Sequence, residues 1–183
     1  MPITLGAKPD HGFDEPLGLL SDCHRRIERF LGVLLAVCTT RQGGALTSDE
    51  RESLRRAIEY FRVAAPRHTQ DEEASLFPRL RASADPRAAA ALAELARLET
   101  DHEVADGHHR DVDALVRRWL DADALALEAT AELRRLLEAL TAIYRAHIAV
   151  EDGRIFPLAA GVLDSEALRR VGEEMAQRRG LTG

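Results

Sequence analysis

His68-Thr69-Gln70-Asp71-Glu72-Glu73-Ala74-Ser75-Leu76-Phe77-Pro78 returns 79 residues later as His147-Ile148-Ala149-Val150-Glu151-Asp152-Gly153-Arg154-Ile155-Phe156-Pro157. His, Glu, a second acid, an aliphatic residue, Phe and Pro keep the same order in both copies. On a helix, His at i and Glu at i+4 leave the same face about one turn apart. One such pair is ordinarily a surface contact worth about 0.2–0.5 kcal/mol. Its position on the helix decides otherwise here. Steps of three and four back from the first copy give Leu54, Ile58, Phe61, Ala65, His68, Glu72 and Leu76. The second gives Leu133, Leu136, Leu140, Tyr144, His147, Glu151 and Ile155. Both are core stripes with an imidazole and a carboxylate set into them. A carboxylate on a buried seam is costly unless something neutralises it, and a shared metal ion would.

The rest of the chain agrees with a helical protein. Its 183 residues suit one domain with a short tail. Ala, Leu, Arg and Glu dominate and aromatics are 4%, a composition of strong helix formers that predicts an all-α fold. A formal charge of −6 gives no support for nucleic acid or an anionic membrane as partner. No apolar run reaches membrane-spanning length. Residues 1–10 lack the apolar segment of a signal peptide. Cys23 and Cys38 form no CxxC pair, so reduced thiols in the cytoplasm are expected.

In chain order, residues 1–13 read as an irregular lead-in and residues 14–160 as a four-helix bundle. Residues 161–183 read as a short fifth helix with a tail. Asp14 is expected to cap a first helix from Pro16 that ends at Gly43-Gly44. Thr47 and Glu50 form a capping-box pattern for the second, which Pro66 should kink and Pro78 should close. Asp85-Pro86 starts the third, running to about Trp119. The fourth runs from about Asp123 to Ile155, where Pro157 stops it. Short connections predict an antiparallel up-down arrangement. The fifth helix carries an apolar stripe of Leu168, Val171 and Met175, with Arg169, Arg170, Arg178 and Arg179 mostly off it. It is expected to fold back as a lid over the end of the bundle where Leu92 and Leu95 overhang.

Two further histidines join the repeat. His24 sits on the seam of the first helix and His102 on that of the third, 78 residues apart. Each half is then a helical hairpin with His on its first helix and His-x-x-x-Glu on its second. One seam histidine is ordinarily a hydrogen-bonded core residue. Four of them, one per helix and related by the repeat, point to metal. Imidazoles suit iron, and carboxylates add hard oxygen donors and negative charge.

This set resembles the hemerythrin-like, or HHE cation-binding, family over about residues 14–160. The residues that carry the likeness are His24, His68-x-x-x-Glu72 with Leu76-Phe77-Pro78, His102, and His147-x-x-x-Glu151 with Ile155-Phe156-Pro157. The resemblance implies a non-haem di-iron centre with an oxo or hydroxo bridge. His24 and His68 would bind one iron, His102 and His147 the other, and Glu72 and Glu151 would bridge them. It implies a protein that binds, senses or reacts with O2, NO or peroxide, or that handles iron, and it leaves enzymatic activity open. Oxygen-carrying members have a fifth histidine one turn after the third-helix histidine, where this chain has Asp106. Asp106, and Glu28 one turn after His24, are candidate extra carboxylate ligands. His109 lies two turns from His102 and reads as a core or supporting histidine, Tyr144 as a packed core residue, and His11 and His108 as surface residues.

Two other readings compete. A ferritin-like carboxylate-type di-iron oxidase would need Glu-x-x-His on two helices, and Glu99-x-x-His102 is the one match. A metal-free interaction module would leave four imidazoles and two buried acids without partners.

Overall fold

The computed structural model describes residues 10–181; most of the expected lead-in, residues 1–9, lies outside them. All regular structure among the described residues is helical. Helices α1 (Pro16–Arg41), α2 (Ser48–Asp71), α3 (Phe77–Ala82), α4 (Pro86–Asp121), α5 (Leu127–Val150), α6 (Phe156–Val162) and α7 (Ser165–Arg178) succeed one another along the chain. A π-helical turn, Glu72–Leu76, joins α2 to α3, and a second, Glu151–Ile155, joins α5 to α6. The chain therefore makes four long rods and a fifth short helix. α1 and α4 each pack against both α2 and α5, which closes the rods into a ring.

Local chemistry sets the ends. Thr47 and Glu50 form the capping box reciprocally. Asp85 caps α4 by accepting from Arg87 N–H, and Asp164 caps α7 by accepting from Ala167 N–H. Asp14 does not cap α1; the cap position is Glu15, which makes no side-chain bond. α5 begins at Leu127, later than the expected Asp123. α1 ends at Gln42 in the left-handed region, followed by Gly43 at φ 81°. A Cβ on Gly43 would lie 2.3 Å from Thr130 Oγ1, so only glycine fits between α1 and the start of α5.

Pro78 and Pro157 do not stop their rods. In each π turn the register gains one residue: Phe77 N–H bonds the carbonyl of Glu72, and Phe156 N–H that of Glu151. Each proline then takes a first-turn position of the next helix, where an N–H is not needed. The extra residue also rotates the helix beyond it. Phe77 and Leu80 turn inward, where an unbroken stripe would have brought Arg79.

The core is in two parts. One holds Ile27, Ala65, Ala105 and Ile148 with the residues beyond them. The other holds Leu20, Leu76, Leu98 and Ile155. On every rod the gap between the two falls at His24, His68 with Glu72, His102, or His147 with Glu151. The fold thus clamps a polar layer between two apolar blocks.

α7 folds back as expected, with Val171 and Met175 fully buried. It rests on α1, α2 and the first π turn. At the start of α4, Leu95 is fully buried in the same apolar cluster as Val171 and Met175, while Leu92 stays 41% exposed. Arg178 and Arg179 both reach Asp71, at 2.7 and 2.6 Å, and that carboxylate is wholly buried. Gly172 lets the backbone of Phe13 approach, since a Cβ there would sit 1.8 Å from the Phe13 carbonyl oxygen.

Breaking a buried ion pair from one side leaves an uncompensated charge, at a cost of about 3–5 kcal/mol. Replacing Arg178→Ala and Arg179→Ala together should lower the unfolding free energy by that order, as read in urea melts. A change within about 0.5 kcal/mol, the ordinary surface scatter, would show that α7 is adjacent to the bundle without bracing it.

Candidate metal centre

His24, His68, His102 and His147 are all buried, and Glu72 and Glu151 have no exposure at all. Their donor atoms gather in two overlapping groups. His24, His68, Glu72 and Glu151 offer atoms within 4.8 Å of one another, and so do Glu72, His102, His147 and Glu151. Both glutamates belong to both groups. This is the layout expected from the repeat, with each π turn starting at the glutamate it presents.

Around these atoms, contacts are short yet misdirected. His24 Nε2 is 3.1 Å from Glu151 Oε2 and 3.8 Å from Glu72 Oε1. His147 Nε2 is 3.0 Å from Glu151 Oε2, and His102 Nε2 is 3.4 Å from Glu72 Oε2. Nevertheless His24 Nε2 and all four carboxylate oxygens of Glu72 and Glu151 are buried without a hydrogen bond. His102 Nε2 and His147 Nε2 are 3.1 Å apart and have mainly each other. Buried polar atoms ordinarily find partners, so two buried carboxylates and an imidazole nitrogen converging without them mark a site built for a cation. The layer's imidazole nitrogens and carboxylate oxygens fit iron or a similar divalent metal.

Protonation carries the same signal. Burial acts to lower His24, but the Asp152 carboxylate at Nδ1 and the close carboxylates of Glu151 and Glu72 outweigh it and push the imidazole up to about 12. Burial likewise opposes the charge on His102, and Glu72 and Glu73 raise it to about 9. His68 is pushed down to about 4, first by burial. Burial would raise Glu72, yet the surrounding imidazoles hold it well below its ordinary value.

Behind the histidines stand carboxylates. His24 Nδ1 is 3.0 Å from Asp152 Oδ1, and His102 Nδ1 is 2.8 Å from Glu73 Oε1. His147 Nδ1 is 3.5 Å from Asp101 Oδ2, a longer contact. The sequence signal for Glu73 and Asp152 was the second acid of the repeated stretch; Asp101 carried none.

Asp106 and Glu28 are not brought to either group. Asp106 is 66% exposed and lies 3.3 Å from Arg110, while Glu28 is exposed. The seam explains this: Ala105 and Ile27 take the inward positions of that turn, so the next residue falls on the flank. His11 is not a surface residue either. Its Nδ1 is 3.0 Å from the buried Asp22. His109 is half-buried; it shares a 3.0 Å hydrogen bond with Tyr144 and stacks on Phe61, which places it at the edge of the core beside the site.

A cleft of about 290 Å³ between α2 and α4 reaches His102 and Tyr144, and Thr69, Glu73 and Asp106 line it as well. The larger cavity of about 770 Å³ is walled by Arg55, Tyr60 and Arg117 and contains none of the six converging residues.

Comparison with known proteins bears on the same region. The family model for the hemerythrin HHE cation binding domain matches residues 15–159. An uncharacterized protein of Haemophilus influenzae is 28% identical over 168 residues, which span 91% of this chain and 91% of that protein.

The raised imidazoles give a pH test. His24 and His102 sit above their ordinary 6.5, so their contribution to stability is fully present below pH 6.5 and declines above it, until about pH 9 for His102 and about pH 12 for His24. A metal displaces those protons, so its affinity rises over the same range. Protein stripped with a chelator should melt at a lower temperature at about pH 9 than at about pH 6, and the upward shift on adding metal should grow. Equal melting of the stripped protein at both pH values would contradict this charge assignment.

Proposed function

Since the chain belongs to the hemerythrin HHE cation-binding family, we propose that its polar layer holds a pair of iron ions that bind, sense or react with O2, NO or peroxide. The observation that carries the reading is the sharing of Glu72 and Glu151 between two otherwise separate histidine pairs. His24 and His68 would hold one ion and His102 and His147 the other, with the two glutamates common to both. Residues 14–160 would form the metal-binding unit, with residues 161–183 as its brace. Free, buried Cys23 and Cys38 support a reducing, cytoplasmic setting. Among the described residues no helix is long and apolar enough to cross a membrane.

Bound iron would supply open coordination positions and exchangeable electrons for a small oxidant. The protein's own residues select what arrives. The cleft beside His102, with Phe61 and Ala65 on its wall, has room for a diatomic or peroxide. The Tyr144 hydroxyl, tied to His109, keeps that inner wall ordered. The position one turn after His102 offers no imidazole, and Asp106 there faces Arg110. Among the described residues, the histidine pairs and the shared glutamates would then be the donors, without a fifth histidine. The ferritin-like oxidase reading loses its one match, because Glu99 lies outside both groups and pairs with Arg81 at 2.7 Å.

Anaerobic reconstitution with ferrous iron tests the assignment. Glu72→Ala should weaken both positions, and His24→Ala should mainly disturb one. Asp106→Ala and Glu28→Ala should keep the wild-type iron content. A Glu72→Ala protein with full iron content and an unchanged optical spectrum would overturn the shared-carboxylate reading, and iron loss in Asp106→Ala would restore that residue as a ligand.

A further inference from the structure

The second acid of each repeated stretch is not used by the site described so far. Glu73 and Asp152 are 79 residues apart, the offset of the repeat. Each comes directly after a glutamate at the start of a π turn, and each leaves the buried seam: their side chains are 37% and 39% exposed, against 0% for Glu72 and Glu151. Neither bonds within its own hairpin's histidine pair. Glu73, from the first hairpin, meets His102 of the second at 2.8 Å. Asp152, from the second, meets His24 of the first at 3.0 Å and accepts from Ser21 Oγ at 2.8 Å.

Each first-helix histidine therefore has consecutive acids of the opposite hairpin at its two ring nitrogens, hydrogen-bonded at Nδ1 and close by at Nε2. His24 has Asp152 at Nδ1 and Glu151 at Nε2, the latter at 3.1 Å. His102 has Glu73 at Nδ1 and Glu72 at Nε2, the latter at 3.4 Å. An ionised carboxylate accepts only, so the Nδ1 of both rings carries a proton. That leaves Nε2 for the inner site. The second-helix histidines are not held by the opposite hairpin: among the described residues His68 Nδ1 is buried with no hydrogen bond, and His147 Nδ1 has only the longer 3.5 Å contact to Asp101 of its own hairpin.

We propose that Glu73 and Asp152 are positioning residues that cross-brace the two hairpins, each fixing the tautomer and ring direction of the other hairpin's first-helix histidine. The proposal rests on the reading that the Nε2 atoms bind metal. It predicts a crossed pattern of effects that a local structural role would not give. Glu73 variants should disturb the His102–His147 position, although Glu73 neighbours Glu72 and His68 in sequence. Asp152 variants should disturb the His24–His68 position.

Two readouts decide it. The first is ferrous affinity at each step, by anaerobic competition with a chromogenic chelator. The second is imidazole nitrogen chemical shifts, by NMR on protein loaded with zinc as a diamagnetic probe, with the Nδ1–H proton signals of the same protein without zinc. Wild type should show His24 and His102 protonated at Nδ1. Glu73→Leu should lose that single tautomer at His102 alone and weaken one binding step by about 10–100-fold, the usual effect of removing a partner behind a ligating histidine. Asp152→Leu should do the same at His24. Glu73→Gln keeps shape and an acceptor oxygen, so it should keep the tautomer with a smaller loss, and it serves if the leucine variant misfolds. An unchanged His102 tautomer and affinity in Glu73→Leu would overturn the brace, as would a Glu73→Gln protein with scrambled tautomers or effects confined to His68. Wild-type protein that takes up fewer than two ions would instead refute the di-metal reading, while the hydrogen-bonded Nδ1–H proton signals of His24 and His102 in zinc-free protein would still decide the brace.

Discussion

Two carboxylates buried on helix seams, Glu72 and Glu151, are the constraint that the remaining structure meets. Moving a carboxylate out of water costs several kcal/mol even after relaxation. Nothing apolar can offset that locally. Four imidazoles surround the pair, the apolar core divides into blocks above and below it, and the backbone changes from α to π at each glutamate. A cation satisfies the whole layer at once. Without one, the layer must hold protons, which is why His24 and His102 are driven upward and His68 is not.

The constraint spreads outward through neighbours in sequence. Asp71 precedes Glu72 and is tied by Arg178 and Arg179 to α7. Glu73 comes next and reaches across to α4. Three consecutive acids thus anchor the C-terminal helix, the site and the opposite hairpin. Successive side chains on a helix diverge by about 100°, so three neighbours can face three different partners. The wider π turn begins here, in keeping with the association of such turns with functional sites. The same geometry recurs at Glu151 and Asp152, although Val150 offers no counterpart to Asp71.

Much of this was legible in the sequence, for identifiable reasons. Helix existence followed from the three-four seams, and the six converging residues followed from the repeat, because each is both apolar-flanked and chemically out of place. The α7 stripe was legible in the same way. The π turns were not. A stripe read at α-helical spacing runs smoothly through Glu72 and Leu76, and Pro78 then looks like a stop. Only the hydrogen bond from Phe77 to Glu72 reveals the inserted residue. Asp106 and Glu28 show the opposite failure. A residue one turn from a ligand was a fair candidate by spacing, but a seam is narrow, and Ala105 and Ile27 already occupy it. Arg178 and Arg179 looked solvent-facing because their partner, Asp71, lies more than 100 residues away in sequence.

The central claim is that both metal positions share Glu72 and Glu151, and magnetism tests it most directly. Ions held through common carboxylates cannot behave independently. Magnetic susceptibility of iron-loaded, oxidised protein, measured with iron content on the same sample, should show two ferric ions per chain with coupled spins and a moment well below that of isolated ions. Two ions with independent moments, or a single ion per chain, would contradict the account.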